Sequence, residues 1–136
     1  MIHLDTNSMI AMLNERPRRV RELFEQARAS GNRISISTIV HHELMYGAAC
    51  SRRREENESK IAHTLLASDI AILPFEEADS MHAADIRAHL KRIALPIGPY
   101  DVLIAGQARR HSATLVTSNI REFQRVPGLM VMDWAT

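Results

Sequence analysis

The stretch Ile2-His3-Leu4-Asp5-Thr6-Asn7 sets a pattern that the rest of the chain repeats. Residues 2–4 predict a short strand that ends at Asp5, and a helix is predicted to follow through Met9 and Leu13. An aspartate between a strand and a helix is a common helix N-cap. It also stands at the carboxyl end of the strand, where open parallel sheets bind their ligands. Asp5 is therefore a candidate for both a structural and a chemical role.

Strand and helix signals alternate along the remaining sequence. Four further strands are predicted, at residues 34–36, 70–73, 114–117 and 129–132. Helices are predicted between them, and the helix over residues 100–110 is apolar almost all round, which places it in the core. Such alternation is typical of crossover units. We therefore predict an α/β fold with a central parallel sheet of four to five strands covered by helices on both faces.

Composition limits the class of protein. A chain of 136 residues fits one domain, and 46% hydrophobic residues are enough for a core of its own. The single cysteine, Cys50, excludes an internal disulfide framework. The sequence shows neither a secretory leader nor an apolar run of membrane-spanning length, so we expect a cytoplasmic protein with no membrane partner.

Oxygen-bearing side chains follow the predicted strands. They are Asp5 after the first strand, Glu43 on the helix after the second, Asp101 at the start of the buried helix, and Asn119 after the fourth strand. Because the carboxyl ends of parallel strands share one edge of a sheet, these side chains can converge on one site. Each alone is more often a helix cap or a solvated acid. Gathered carboxylates repel one another unless a cation lies between them, and oxygen ligands alone suit Mg²⁺ or Mn²⁺.

Four stretches together resemble the motifs of PIN-domain ribonucleases, and specifically of the VapC-type toxins of bacterial toxin–antitoxin operons. They are residues 4–7 (LDTN), 37–47 (STIVHHELMYG), 96–105 (PIGPYDVLIA) and 115–123 (LVTSNIREF). The tail at residues 126–129 also fits. The motifs occur in order over nearly the whole chain, so the resemblance implies a single PIN domain over residues 1–136, with a Rossmann-like central sheet.

The resemblance implies a catalytic triad of Asp5, Glu43 and Asp101, in which Asp5 and Asp101 are the main metal ligands. Much of the family has an aspartate where this chain has Asn119, whose amide oxygen still positions a water but brings no charge. The number of metal ions, one or two, therefore stays open. Three hydroxyl residues are near enough in sequence to orient ligands or waters: Thr6, Thr117 and Ser118.

The activity that the resemblance implies is that of a Mg²⁺-dependent endoribonuclease, with Mn²⁺ able to substitute, acting on a structured RNA such as a tRNA. Hydrolysis by water needs no ribose 2′-hydroxyl, so we expect 5′-phosphate and 3′-hydroxyl ends. The implied partners are the RNA substrate, a VapB-type antitoxin, and a second copy of the chain. We therefore expect a homodimer, and a hetero-oligomer with the antitoxin.

The surface charge indicates little about how RNA binds. Arginines cluster at residues 16–21, 52–54 and 109–110, but the acids beside them favour solvated helix faces over an RNA footprint. Aromatic residues make up 4% of the chain, which is too few to predict a platform that stacks unpaired bases. We expect backbone charge and the metal to contribute most of the binding.

Three alternatives stay open. The first is a phosphotransfer domain with Asp5 as nucleophile, although the only lysines, Lys60 and Lys91, lie in charged helices. The second is a non-catalytic RNA-binding or regulatory module related to PIN domains, for which Asn119 is the argument. The third concerns a helix face with the spacing of a zinc site. That face carries His82, Asp85 and His89.

Overall fold

The computed structural model describes residues 1–136 and contains one sheet of five strands. The strands are β1 (Ile2–Leu4), β2 (Ile34–Ser37), β3 (Ala71–Leu73), β4 (Thr114–Val116) and β5 (Met130–Met132). The helices are α1 (Thr6–Asn14), α2 (Arg18–Ala29), α3 (Thr38–Cys50), α4 (Arg54–Ala67), α5 (Glu77–Arg92), α6 (Pro99–Arg110) and α7 (Ile120–Phe123). The predicted α/β fold is confirmed. β1 has the predicted bounds, and each of the other four strands differs from its prediction by one residue at one end.

The strand order is β3-β2-β1-β4-β5, and all neighbouring strands are parallel. The chain moves outward from β1 through β2 to β3 and then returns to the other side of β1 to form β4. The strand order therefore reverses between β1 and β4. In open parallel sheets, ligands bind in the crevice beyond the carboxyl ends of the strands at such a reversal. Asp5 and Thr117 directly follow these two strands.

Helices cover both faces of the centre of the sheet. All residues of β1 and β2 are buried, and successive side chains of a strand point to opposite faces, so neither face is open to solvent. Helix α6 buries Val102 and residues 104–108, which confirms its predicted place in the core. None of the helices has the length and apolar character that crossing a bilayer requires.

The contact between α5 and α6 depends on the absence of a side chain at Gly106. A Cβ atom there would lie 2.7 Å from the backbone nitrogen of Ala83, a distance that real Cβ contacts do not reach. The two helices can therefore approach closely only with glycine at this position. This packing fixes the direction of α6, whose first turn carries Asp101.

Candidate active site

Asp5 stands where β1 ends and α1 begins, and it is 5% exposed. Its carboxylate caps α1 by accepting a hydrogen bond of 2.8 Å from the backbone N–H of Ser8. The Ser8 hydroxyl donates to the carbonyl of Val116 at the end of β4, at 2.9 Å. Burial raises the pKa of the Asp5 carboxyl, against the opposing effect of hydrogen bonds from Thr117 and Ser8. Asp5 is thus a helix cap, and it is also a buried acid at the reversal of the strand order.

Glu43 reaches the same junction from α3. This helix begins at Thr38, where the Ser37 hydroxyl caps it by accepting a hydrogen bond of 2.9 Å from the backbone N–H of Ile39. The Thr6 hydroxyl, in the first turn of α1, donates to Oε1 of Glu43 at 2.6 Å. Glu43 is half-buried, as expected from its neighbours in sequence. Thr6 therefore orients Glu43 towards the end of β1, where Asp5 lies.

Asp101 lies in the first turn of α6, close behind Gly98 at the N-cap position. A Cβ atom on Gly98 would lie 3.1 Å from Oδ2 of Asp101, so the carboxylate folds back over the start of the helix. Burial is the main reason that the pKa of Asp101 rises to about 6. The negative charges of three neighbouring acids add to the rise: Asp5, Glu43 and Glu122. Together with the hydrogen bond between Thr6 and Glu43, these effects place the three predicted acids in one region of the fold.

Glu122 is the acid that the sequence analysis missed. It lies on α7 and accepts a hydrogen bond of 2.9 Å from the side-chain amide of Asn119. Asn119 therefore holds a carboxylate at the position where its own amide brings no charge. The signal was present in the sequence, because residues three apart at the start of a helix lie on the same face.

The other two predicted hydroxyl residues differ from each other. Thr117 is fully buried, accepts a hydrogen bond of 2.9 Å from the backbone N–H of Asn119, and lies near enough to Asp5 to lower the pKa of its carboxyl. Ser118 is exposed and makes no hydrogen bond with any of the acids. It lines a cavity with Asn7 and Trp134 instead. The structure therefore brings Thr117 to the site but not Ser118.

The chemistry of the site fits a divalent cation bound in an open arrangement. None of the four acids forms an ion pair with lysine or arginine, so their repulsion is not relieved within the protein. No three His, Cys, Asp or Glu side chains lie close enough together to hold a metal ion among them, so no closed metal cage is present. Such a cage is typical of structural zinc, whereas Mg²⁺ keeps several waters and takes only one or two carboxylates.

Other candidate groups are engaged in packing. Nδ1 of His82 accepts a hydrogen bond of 3.1 Å from Arg109 in the contact between α5 and α6. This nitrogen is therefore not free to bind zinc. Arg110 forms an ion pair of 2.7 Å with Asp79. Arginines on α2 and at the start of α4 pair with glutamates one turn away, as the acids beside them suggested. The arginine runs are therefore largely solvated or paired helix faces.

Comparison with known proteins identifies the family of the chain. The chain matches the PIN domain family model over residues 2–129. It is 37% identical over 131 residues to the tRNA(fMet)-specific endonuclease VapC of Salmonella typhimurium, with 96% of each chain covered. It is 39% identical over 132 residues to the protein of the same name from Shigella flexneri, with 97% of this chain and 96% of that protein covered.

A solved structure extends the likeness to the whole fold. The structure of VapBC2 from Rickettsia felis, bound to a DNA fragment from their promoter, matches with a TM-score of 0.90 and 38% sequence identity. The match covers 98% of this chain and 99% of that chain. Motifs, fold and likeness agree, and the chain belongs to the PIN-domain family, within its group of VapC ribonucleases.

Proposed function

We propose that this protein is the toxin of a toxin–antitoxin pair and acts as a Mg²⁺-dependent endoribonuclease, with Mn²⁺ able to substitute. The observation that carries the proposal is the meeting of unpaired acids at the reversal of the strand order. Burial is the main reason that the pKa of Asp101 rises to about 6, and the charges of Asp5, Glu43 and Glu122 add to the rise. A bound cation would offset the repulsion among these acids. Because the acids have no cationic partner in the protein, the site favours a metal-dependent reaction.

The roles of the residues follow from their positions. Asp5 and Asp101 are the carboxylates that would hold the cation, which supplies positive charge to the phosphoryl oxygens and lowers the pKa of water. Glu43, oriented by Thr6 at 2.6 Å, accepts the proton of the attacking water. Asn119 holds Glu122 at the edge of the site. Attack by water forms no cyclic phosphate, and with the 3′-oxygen as the leaving group the products carry 5′-phosphate and 3′-hydroxyl ends.

The proposed substrate is a structured RNA, and tRNA(fMet) is the first one to test. Two relatives at 37% and 39% identity carry the name tRNA(fMet)-specific endonuclease, which supports this choice. The Rickettsia felis structure is of VapBC2, which supports a VapB-type antitoxin as partner. The proposal includes one PIN domain over residues 1–136, a homodimer, a hetero-oligomer with the antitoxin, and action on RNA in the cytoplasm.

The test compares Asp5→Asn with the parent. Asparagine caps helices as well as aspartate does, so this change removes the negative charge and keeps the start of α1. Antitoxin-free protein is incubated with total tRNA in Mg²⁺ or in EDTA, and a matched control is Asp85→Asn, an exposed acid on α5. We expect discrete tRNA fragments from the parent and from Asp85→Asn, and none in EDTA or from Asp5→Asn.

Other results would favour other functions. Fragments with 2′,3′-cyclic phosphate ends would contradict water as the nucleophile. A stable acyl phosphate on Asp5 would favour the phosphotransfer alternative. RNA binding by the folded parent without cleavage, over a wide panel of RNAs and with either metal, would favour the non-catalytic module.

A further inference from the structure

Both tyrosines of the chain and one histidine form an exposed cluster. The ring of His42 lies 5.8 Å from that of Tyr100, edge to face, and 6.5 Å from that of Tyr46. Tyr46 is 65% exposed and Tyr100 is 46% exposed, although both are large rings that usually bury most of their surface. We call His42, Tyr46 and Tyr100 the aromatic rim.

The aromatic rim stands on the same two helices as two of the acids. On α3, His42 directly precedes Glu43, and on α6, Tyr100 directly precedes Asp101. Tyr46 follows Glu43 by three residues, so these two side chains share a face of α3, and the contact of His42 with Tyr100 joins this part of α3 to the start of α6. A nucleotide whose phosphate reaches the acids therefore has its base, or that of the next nucleotide, near these rings.

The charges of the protein favour such a neutral contact. Four acids without a paired cation repel the phosphates of RNA, and the net charge of the whole chain is only +1. Several arginines of α2 and α4 face glutamates. Contacts that do not depend on charge would therefore add to the attraction that the metal supplies. Stacking of bases on aromatic rings is such a contact, and it tolerates any base.

We propose that the aromatic rim stacks an unpaired base beside the RNA bond that is cut. This inference rests on the proposed nuclease function and adds a substrate-binding element to it. The low aromatic content argued against a stacking platform, but the fold brings both tyrosines of the chain to one place. A ring that served only to pack α3 against α6 would be buried, whereas much of the surface of Tyr46 and Tyr100 is exposed.

Fluorescence of a stacked base tests the proposal. The protein carries Asp5→Asn so that RNA stays intact, and the probe is a short single-stranded oligoribonucleotide with one 2-aminopurine, whose fluorescence falls on stacking. We expect Tyr46→Leu and Tyr100→Leu each to weaken binding by about tenfold and to abolish the quenching. Tyr46→Phe, which keeps the ring, should restore most of the loss. Leu66→Ala, at an 85% exposed apolar residue on α4, is the matched control and should bind like the parent.

Cleavage and assembly state complete the test. With Asp5 intact, Tyr46→Leu should raise KM for RNA more than it lowers kcat, since stacking binds the substrate without touching the reacting atoms. Leucine variants that bind and quench as the parent does would overturn the proposal. A loss of binding that follows dissociation of a dimer in sedimentation would overturn it too, and would make the rim a contact between copies. If the parent neither binds nor cuts any RNA, the nuclease proposal fails and the rim with it; if the parent cuts RNA and the rim variants match it, only the rim fails.

Discussion

The two ends of α6 differ in whether the acid found there has a cationic partner. At its C-terminal end, Arg110 forms an ion pair of 2.7 Å with the fully buried Asp79 of α5. At its N-terminal end, Asp101 faces other acids and has no cationic partner. Burial alone would raise both pKa values. Hydrogen bonds from Arg110 and from the backbone of Glu76, with the charge of Arg110, outweigh burial at Asp79 and lower its pKa, while that of Asp101 rises to about 6.

The comparison separates stability from function along one helix. The acid at the C-terminal end is paired within the protein, so its charge stabilises the contact between α5 and α6. The acid at the N-terminal end is left without a partner, so the folded state tolerates a repulsion that a bound cation removes. Natural proteins break local rules of consistency mainly at functional sites, which is consistent with the proposed role of Asp101 at the start of α6.

The largest expected effect comes from removing the charge at the unpartnered end. Asp101→Asn keeps the shape of the side chain but lowers its charge, so RNA cleavage should fall by about a thousandfold. The same change should raise the thermal midpoint of the metal-free protein, because a repulsion is lost. Both kcat/KM and Tm are measured on one preparation, with Asp85→Asn as a control that changes neither. A lower Tm for Asp101→Asn would contradict the claim that repulsion between Asp101 and the neighbouring acids destabilises the metal-free protein.

Towards the C-terminal end of α6, the close contact with α5 should not tolerate a methyl group at Gly106. Gly106→Ala places a Cβ atom 2.7 Å from the Ala83 backbone nitrogen, and backbone cannot move aside as a side chain can. We expect the free energy of unfolding to fall by about 3 kcal/mol in urea titrations. Gly47→Ala is the matched control, since a Cβ there meets nothing within 4 Å. It should stabilise helix α3 by up to about 1 kcal/mol.

The ion pair at this end should contribute less than the packing does. Asp79→Asn leaves the Arg110 guanidinium without its charged acceptor, and we expect a loss of about 2 kcal/mol in the free energy of unfolding. The same substitution therefore has opposite effects on stability at the two ends of α6. Asp85→Asn, on the exposed face of the same α5 helix, controls for the change in helix charge. Equal free energies of unfolding for Asp79→Asn and Asp85→Asn would show that the ion pair of Asp79 with Arg110 does not stabilise the fold.

The two ends also differ in how well sequence predicts them. Asp5, Glu43 and Asp101 could be placed together because each follows a recognisable strand or opens a helix, and parallel strands bring such positions to one edge. Asp79 and Arg110 are 31 residues apart in sequence. Neither stands at the end of a strand, so their pairing follows only from the packing of α5 on α6. Ser118 was predicted to lie near the acids because it follows Thr117 in sequence, but in the structure it does not contact them.

The pH dependence of stability sharpens the comparison further. In the folded protein the pKa of Asp101 is raised from 3.8 to about 6, so the folded state binds more protons than the unfolded state between these pH values. Lowering the pH through this window should therefore relieve the repulsion and stabilise the metal-free protein. The effect should be modest, because solvent screens a half-buried carboxyl.

His3 changes the stability of the protein in the opposite direction as the pH falls. Burial, and then the charge of His111, lower the pKa of His3 from 6.5 to about 4, so stability that depends on neutral His3 is lost as the pH falls between these values. The difference in Tm between Asp101→Asn and the parent cancels this contribution. That difference should be largest at neutral pH, shrink as the pH falls through about 6, and disappear when Mg²⁺ is added, because a bound cation stabilises the parent. A difference that is constant from pH 7 to pH 4 would show that Asp101 does not titrate in this window.

The smallest expected effect lies at the residue that makes room for Asp101. Gly98 has an ordinary extended backbone conformation, with φ −56° and ψ 151°, so alanine there causes no backbone strain. Its Cβ atom would lie 3.1 Å from Oδ2 of Asp101, and the carboxylate must move by a few tenths of an ångström. We expect Gly98→Ala to lower kcat/KM by about fivefold and to raise the Mg²⁺ concentration needed for half of full activity. Saturating Mg²⁺ should recover most of the loss, because the carboxylate is displaced but still charged. A loss that no Mg²⁺ concentration recovers would mean that Asp101 acts on the substrate through its position alone.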